Sequence, residues 1–207
     1  MNGHSQSFSG LKVKATIYDI DAKEKASQDL TLDIPSDSSV RAFQLPKPEN
    51  MSPTYFLKLE LRESGKLLSD NFYWLSTKPD VLDWANKLDT VYTPQSAYAD
   101  LTGLNSLKPA KVTLRATESR EGTAQVVHVV VQNPGTSIAF MVHLRVANQN
   151  TSQDVVPIFW NDNYFSLLPG EKQEVSARFD ATHEVGPAVL TLDAWNVPRE
   201  QVVLGSK

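Results

Sequence analysis

Histidine is the side chain best suited to acid–base chemistry near neutral pH or to binding a metal through imidazole. The sequence contains four: His4, His128, His143 and His183. None belongs to an H-x-H or H-E-x-x-H pattern. His128 and His143 fall at outward positions of two predicted strands. They are cross-strand neighbours if those strands form a hairpin, and lie in opposite sheets if the topology is immunoglobulin-like. We interpret them as solvated or interface histidines.

Paired carboxylates are the second candidate chemistry, because glycoside hydrolysis needs two of them flanking a cleft. The acidic residues considered for this role fall in predicted turns or at outward strand positions: Glu118, Glu121, Glu171 and Glu174. The sequence also lacks a G-x-S-x-G, P-loop or dinucleotide pattern. Its lack of cysteine excludes a thiol nucleophile and a thiolate metal site. We therefore assign no catalytic residue, no cofactor and no metal.

The stretch WNDNYFSLLPGE, residues 160–171, is the most distinctive polar and aromatic cluster. Asn161, Asp162 and Asn163 offer oxygen ligands for calcium, but the order of ligands in an EF-hand loop is missing. A turn whose side chains bond their own backbone is the favoured interpretation. Trp160 and Tyr164 form either a platform on which a sugar ring stacks or the closed end of a domain.

Exposed tryptophans are the remaining candidates for binding, since an aromatic face suits a sugar ring. The candidate carbohydrate contacts are Trp84, Trp160 and Trp195.

The elements that position these residues are predicted from alternation with period two, which indicates strands with one buried face. In the first third the predicted strands are 11–17, 28–34, 39–45, 55–61 and 67–75. Glu63-Ser64-Gly65-Lys66 is the predicted hairpin turn between the last two. Between residues 76 and 107 the alternation ends. The residues Val81, Leu82, Trp84, Ala85 and Leu88 predict a short amphipathic helix there.

From residue 109 onward the alternation returns. The predicted strands are 111–117, 124–132, 138–147, 155–159, 164–168, 173–179 and 188–195. Seven short strands within roughly ninety residues are typical of an immunoglobulin-like sandwich. The alternation assigns these residues to its core: Val127, Val129, Val131, Phe140, Val142, Leu144, Val175, Ala177, Phe179, Leu190 and Leu192.

The predicted fold class is all-β: two immunoglobulin-like β-sandwiches joined by an ordered linker with a short helix. The predicted divisions are an added or disordered lead (1–10), the first sandwich (11–77), the linker (78–107), the second sandwich (108–202) and a tail (203–207). The first sandwich has about five strands where such domains have about seven. We therefore expect it to be truncated at its N-terminus, and its uncovered edges favour self-association.

Composition limits the partners. The chain has 207 residues, 41% hydrophobic and 21% charged, with a formal net charge of −4 and no run of five lysines or arginines. This predicts a soluble globular protein with neither a nucleic acid nor a membrane as partner. The first ten residues lack the features of a signal peptide.

Several segments together resemble one enzyme family. They are NFYWLST (71–77), YTPQS (92–96), YADLTGLNSL (98–107), WNDN with LLPGE (160–171) and AWN (194–196). In this order they are similar to the C-terminal region of exo-β-D-glucosaminidases of glycoside hydrolase family 2, which are related to β-mannosidases. The resemblance runs from about Leu11 to Val197.

The resemblance implies a secreted or extracellular multidomain enzyme that releases glucosamine from the non-reducing ends of chitosan oligosaccharides. It implies retention of configuration by two glutamates on an upstream (β/α)₈ barrel, outside this sequence. We expect a non-catalytic accessory pair of domains that supports this barrel and is inactive alone, with the barrel and chitosan oligosaccharides as partners. The alternatives are a carbohydrate-binding module without catalysis and the same domains from a β-mannosidase-type enzyme.

Overall fold

The computed structural model describes residues 1–86, 92–180 and 187–205. In these ranges the chain consists mainly of antiparallel strands, and it divides into two compact units, Met1–Ser106 and Leu107–Lys207. The all-β prediction is therefore confirmed. Within the same ranges, no helix has both the length and the apolar character needed to cross a membrane.

The first unit contains a four-stranded antiparallel sheet in the order β2-β1-β3-β4. Its strands are β1 (Phe8–Tyr18), β2 (Glu24–Ile34), β3 (Thr54–Glu63) and β4 (Lys66–Ser76). The predicted hairpin turn between β3 and β4 is confirmed, because Glu63 pairs with Lys66. The φ angles of Ser64 and Gly65 are +49° and +86°, as the primed hairpin turns require.

The prediction of a strand over residues 39–45 is wrong. Phe43 from this segment, and Met51 after it, instead pack onto Ala15, Ile17 and Leu57 in the sheet. The alternation in this stretch thus reflects side chains that cover the sheet. It does not reflect hydrogen bonding to a neighbouring strand.

The prediction that residues 1–10 form a lead outside the fold is also wrong. β1 begins at Phe8, and Asn2 is buried. The Asn2 backbone exchanges hydrogen bonds of 2.8 and 3.0 Å with that of Ser38, and its side-chain amide donates to the carbonyl of Pro35 at 2.8 Å. A buried amide with these partners anchors the start of the chain.

The predicted short helix after residue 80 is wrong. The chain forms a two-residue strand, β5 (Val81–Leu82), followed by a single 3₁₀ turn over Trp84–Asn86. The Asp83 carboxylate accepts hydrogen bonds from the backbone N–H groups of Ala85 and Asn86 at 3.1 and 3.2 Å. Asparagine and aspartate favour such local capped turns. Leu88, also predicted in the helix, lies outside the described residues.

The predicted linker over 78–107 belongs almost entirely to the first unit, which ends at Ser106. β5 pairs with β6 (Gln95–Ala97), and a second 3₁₀ turn spans Thr102–Ser106. The buried Thr54 hydroxyl at the start of β3 donates to the carbonyl of Asp100 at 2.9 Å. This hydrogen bond fastens the segment onto the sheet.

Gly103 lies directly against Thr54. A Cβ added to Gly103 would stand 2.8 Å from the Thr54 hydroxyl oxygen and 3.0 Å from its Cβ. Nearby, the Thr102 hydroxyl donates to the Asp100 carboxylate at 2.6 Å and, with its backbone N–H, holds the pKa of Asp100 below its usual value of 3.8. The segment ADLTGLNSL is therefore shaped to fit the first residue of β3.

The second unit is a sandwich of two four-stranded sheets, with orders β10-β12-β8-β7 and β11-β9-β13-β14. Its strands are β7 (Thr113–Glu121), β8 (Ala124–Gln132), β9 (Ala139–Asn148), β10 (Ile158–Trp160), β11 (Phe165–Leu167), β12 (Lys172–Asp180), β13 (Ala188–Ala194) and β14 (Val197–Val203). The immunoglobulin-like architecture predicted for this half is confirmed.

Two boundaries differ from prediction at the end of the chain. β14 was not predicted, because only Val197 in it is buried and Pro198 interrupts its pattern. Residue 203, predicted as tail, ends this strand, and Leu204 is buried.

The core of the second unit matches the predicted inward positions. All eleven predicted core side chains are buried, each with 3% exposure or less. Full burial of a large aliphatic or aromatic side chain contributes about 1.5–3 kcal/mol. This core stabilises the strands that carry the polar and aromatic surface residues.

Candidate functional site

The Asn161-Asp162-Asn163 cluster lies where the chain crosses between the sheets of the second unit, since β10 before it pairs with β12 and β11 after it pairs with β9. The Asn161 side-chain oxygen accepts the Ser176 N–H of β12 at 2.6 Å. The Asn163 amide both accepts the Leu144 N–H of β9 and donates to the Leu144 carbonyl, each at 2.9 Å.

The predicted turn, in which these side chains bond their own backbone, is seen only for Asn163, whose oxygen also accepts the Tyr164 N–H at 3.0 Å. The other hydrogen bonds join the cluster to the backbone of β9 and β12. Asp162 also accepts a hydrogen bond from the Gln173 amide at 3.0 Å. Within the described ranges, no three histidine, aspartate or glutamate side chains come close enough together to hold a metal ion.

The acidic residues considered for catalysis have local partners. Glu171 lies in the Pro-Gly turn, where its carboxylate accepts the Leu168 N–H at 3.0 Å. Glu121 pairs with Arg178. Hydrogen bonding and charge from Lys172, 2.8 Å away, lower the pKa of exposed Glu174.

Glu118 has partners of the same kind. Its carboxylate accepts hydrogen bonds from the Gln125 amide and the Gly205 N–H, and it is exposed on β7. The turn and outward positions predicted for these four carboxylates are confirmed.

The two central histidines lie in opposite sheets, His128 on β8 and His143 on β9. The hairpin alternative, in which they are neighbours, is therefore wrong. His4 belongs to the first unit, where its ring meets Phe8 edge-on at 5.8 Å. His183 lies outside the described residues.

His143 is part of a surface cluster. Its Nδ1 is 3.3 Å from the Asp193 carboxylate of β13. Its ring stacks on Tyr164, with centroids 4.5 Å apart and planes 13° from parallel. Sequence reasoning missed this arrangement, because Tyr164 and Asp193 are both distant from His143 in the sequence. They reach His143 only through the pairing of β9 with β11 and β13.

Two aromatic residues that adjoin strands of this sheet are exposed. Tyr164, immediately before β11, is 57% exposed, and Trp195, immediately after β13, is 59% exposed. Trp195 also meets Phe140 edge-on at 6.4 Å.

The three tryptophans predicted as carbohydrate contacts occupy different places. Trp84 is 68% exposed in the first 3₁₀ turn of the first unit. Trp160 on β10 is half-buried and packs against the core of the second unit. Trp195 lies in the turn between β13 and β14. Contact with sugar stays a prediction for all three.

Asn196 is a structural residue that sequence reasoning missed. Its amide oxygen accepts the Phe140 N–H at 3.0 Å, and its amide nitrogen donates to the carbonyls of Lys108 and Ile138 at 2.7 Å each. The sequence signal that could have identified Asn196 is the family segment AWN, in which this asparagine follows an exposed tryptophan.

The first unit has an open apolar cleft of about 470 Å³ on one face of its sheet. Apolar residues that line it include Leu11, Val13, Leu32, Ile34, Leu61 and Leu68. It contains no acidic side chain, so the carboxylate chemistry of a glycosidase has no basis in it.

Two family models match the chain. The model for the mannosidase Ig/CBM-like domain matches residues 1–78. The model for the exo-beta-D-glucosaminidase Ig-fold domain matches residues 90–197, more than half of the 207 residues. The chain belongs to the exo-beta-D-glucosaminidase Ig-fold domain family. The resemblance found in the sequence is thus confirmed. The segments that indicated it include residues 98–107, which contact Thr54, residues 160–171, where the chain crosses between sheets, and residues 194–196, which contain Asn196.

Members of this family are similar to the chain over nearly its whole length. The exo-beta-D-glucosaminidase of Amycolatopsis orientalis is 35% identical over 210 residues, which cover 98% of this chain and 20% of that protein. The exo-beta-D-glucosaminidase of Streptomyces avermitilis is 35% identical over 213 residues, which cover 98% of this chain and 23% of that protein. The chain therefore spans between a fifth and a quarter of the length of these relatives.

Solved structures agree in fold. The crystal structure of the Amycolatopsis orientalis exo-chitosanase superposes with a TM-score of 0.89 at 35% identity, covering 96% of this chain and 24% of that one. A beta-D-mannosidase from Dictyoglomus thermophilum superposes with a TM-score of 0.53 at 16% identity, which shows likeness of fold alone.

Proposed function

We propose that this chain is a non-catalytic accessory region of a family 2 glycoside hydrolase of the exo-β-D-glucosaminidase type. The main supporting observation is the coverage, since relatives named for this activity match 98% of the chain with only 20% to 23% of their own length. The four carboxylates considered for catalysis support it too, because they lie in turns or at outward positions with local partners. The catalytic barrel then lies elsewhere in the parent protein.

Hydrolysis by the chain alone tests this proposal. The purified 207 residues are incubated with glucosamine oligosaccharides, and released glucosamine is quantified. The full-length Amycolatopsis orientalis enzyme serves as positive control. We expect release equal to that of a heat-treated blank, because a retaining glycosidase needs a carboxylate pair about 5–5.5 Å apart. Release that scales with the concentration of this chain would overturn the proposal.

The proposed partners are the catalytic barrel of the parent protein and chitosan oligosaccharides, and the proposed location of the parent is outside the cell. The activities for which the relatives are named support the choice of sugar. Immunodetection of the parent protein in culture medium and in washed cells tests the location. A parent protein retained entirely in the cells would contradict it.

Self-association is proposed for the first unit. β4 is an outer strand of its sheet, and Leu67, Leu68 and Tyr73 on it are each about 40% exposed. A long outer strand with exposed apolar side chains favours pairing between chains. Sedimentation velocity over a concentration series should show a dimer that Leu68→Lys weakens and Lys66→Arg leaves unchanged. A strictly monomeric chain at all concentrations would contradict this.

A β-mannosidase-type parent is the second candidate, and the match of residues 1–78 to the mannosidase domain model favours it. Assay of the parent enzyme separates the two candidates. Faster release of mannose than of glucosamine from matched β-linked substrates would favour the mannosidase.

A further inference from the structure

We infer that the segment of the parent protein that runs directly into Met1 forms a strand antiparallel to residues 39–45 and covers the apolar cleft of the first unit. The existence of a longer parent protein rests on the proposed function. The place, direction and register of the strand rest on the geometry of the first unit.

The first observation is a backbone bridge at the start of the chain. Asn2 and Ser38 form an isolated antiparallel bridge, in which each N–H donates to the carbonyl of the other, at 2.8 and 3.0 Å. The Asn2 side-chain amide also donates to the carbonyls of Gln6 and Pro35, at 2.8 Å each. In an antiparallel pair, the chain before one residue runs beside the chain after its partner. The bridge therefore directs the chain before Met1 along residues 39–45.

The second observation is the state of residues 39–45. The segment contains neither a turn nor a bend, and its backbone makes no hydrogen bond to another residue of the described ranges. Val40 and Leu45 at its two ends are 41% and 37% exposed. A row of unpaired backbone N–H and C=O groups is a template for a further strand, and strand addition is a common mode of recognition.

The third observation is the apolar cleft of about 470 Å³ beside this segment. It is lined by side chains from all four strands of the sheet, which are half-buried or exposed and include Val13, Leu32, Leu61 and Leu68. Residues from the start of the chain and from the unpaired segment line the same cleft, among them Met1, Asn2, Val40 and Ala42. A strand beside residues 39–45 would therefore place one row of its side chains on this apolar surface.

The occupant follows from size and connection. An immunoglobulin-like sandwich has about seven strands, whereas the described part of the first unit has one four-stranded sheet and one two-stranded sheet. The relatives extend far beyond the matched region, because the chain spans only 20% to 23% of their length. A segment joined covalently at Met1 also has a higher effective concentration than a second copy of the chain. These points favour the preceding segment over a second copy.

The bridge also sets the register. Asn2 lies opposite Ser38, so Met1 lies opposite Ser39, and the residue immediately before Met1 lies opposite Val40. Directly opposed residues place their side chains on the same face. Because Val40 and Ala42 line the cleft, the residues opposite them face it too. We therefore expect apolar residues at the first and third positions before Met1.

The pairing predicts which backbone groups become bonded. Asn2 and Ser38 exchange both of their hydrogen bonds, and such pairs alternate with non-bonded pairs along an antiparallel ladder. The N–H groups of Val40, Ala42 and Gln44 should therefore donate to the added strand. The N–H groups between them, those of Ser39, Arg41 and Phe43, should point away from it.

Residue-resolved hydrogen exchange, measured by nuclear magnetic resonance, tests this pattern. The full chain is compared with the same chain extended by about ten residues of the parent's own preceding sequence, enough to run along residues 39–45. In the extended chain, amide exchange at Val40, Ala42 and Gln44 should slow by about tenfold or more. Exchange at Arg41 and Phe43 should stay fast.

Two proline variants of the extended chain form a matched pair. Ala42→Pro removes an N–H that the added strand needs, so the slow exchange of Val40 and Gln44 should be lost. Arg41→Pro removes an N–H that points away, and the slow exchange should remain. Circular dichroism establishes that both variants are folded.

Several outcomes overturn the inference. They are a parent protein that begins at Met1, polar residues at the first and third positions before it, unchanged exchange in the extended chain, and equal effects of the two prolines. Slow exchange at Val40 and Ala42 in the unextended chain that increases with protein concentration would assign the segment to a second copy instead. Failure here is distinct from failure of the proposed function, which hydrolysis by the chain would overturn whatever the exchange pattern.

Discussion

The two asparagines of the sheet crossing allow a sharp test of how the second unit is held together. Asn163 uses both ends of its amide on Leu144, whereas Asn161 accepts the Ser176 N–H through its oxygen. Aspartate has nearly the same shape as asparagine but cannot donate when ionised. Asn163→Asp should therefore destabilise the unit, and Asn161→Asp should not.

The magnitude follows from the hydrogen bonds that change. Asn163→Asp removes the donor to the Leu144 carbonyl at 2.9 Å and places a negative charge opposite that oxygen. A part-buried carbonyl left unpaired costs about 1–3 kcal/mol, and repulsion adds to it. We expect Asn163→Asp to lower the free energy of unfolding of the second unit by about 2–4 kcal/mol. Asn161→Asp keeps its acceptor and should change the free energy of unfolding by less than about 0.5 kcal/mol.

Urea unfolding at neutral pH, followed by far-ultraviolet circular dichroism, measures both changes. Because the chain has two units, the transition of the second is assigned by the fluorescence of Trp160 and Trp195 in a Trp74→Phe, Trp84→Phe background. Equal effects of the two aspartate variants would refute the reasoning. So would a return of stability in Asn163→Ala, which has neither donor nor acceptor.

Three further predictions concern the remaining family segments. Gly103→Ala should destabilise the first unit by about 2–3 kcal/mol, because its Cβ would overlap the buried Thr54 hydroxyl; Gly3→Ala, with open space around it, should be near neutral in the same urea assay. Because the pKa of Asp100 is lowered in the fold, its charge stabilises the chain above the usual value of 3.8 and that contribution is lost as pH falls through the lowered pKa. Melting temperatures of the parent chain and Asp100→Asn should therefore differ at neutral pH and converge in acid. Asn196→Ala should cost the second unit about 2–4 kcal/mol by leaving several backbone groups unpaired, measured by thermal unfolding.

The second unit was predicted well because its strands are buried on one face. Period-two alternation between β8 and β13 directly reports that burial, and the eleven predicted core residues are all buried. The same rule failed for β14, an outer strand whose exposed residues leave no alternation to detect. It also failed for residues 39–45, where apolar side chains cover a sheet without pairing into it.

The candidate site was less predictable from sequence. Trp195 was identified as an exposed aromatic residue, but His143, Tyr164 and Asp193 are brought together by the pairing of β9 with β11 and β13. Alternation indicates which face a residue occupies, not which residues of neighbouring strands stand beside it. Register is a property of the assembled sheet, and a single sequence does not encode it in any short pattern.

Asn196 has a consequence for the order of events during synthesis. Its amide joins the carbonyl of Lys108, 88 residues earlier, and the Gly205 N–H reaches Glu118 across 87 residues. Domains fold as units as the chain leaves the ribosome, at about 5–20 residues per second. The second unit therefore cannot complete its hydrogen bonding until its final strand has emerged. During that interval its valine-rich sheets lack a finished edge, which makes the synthesis of β14 the period of greatest risk of misassembly for this unit.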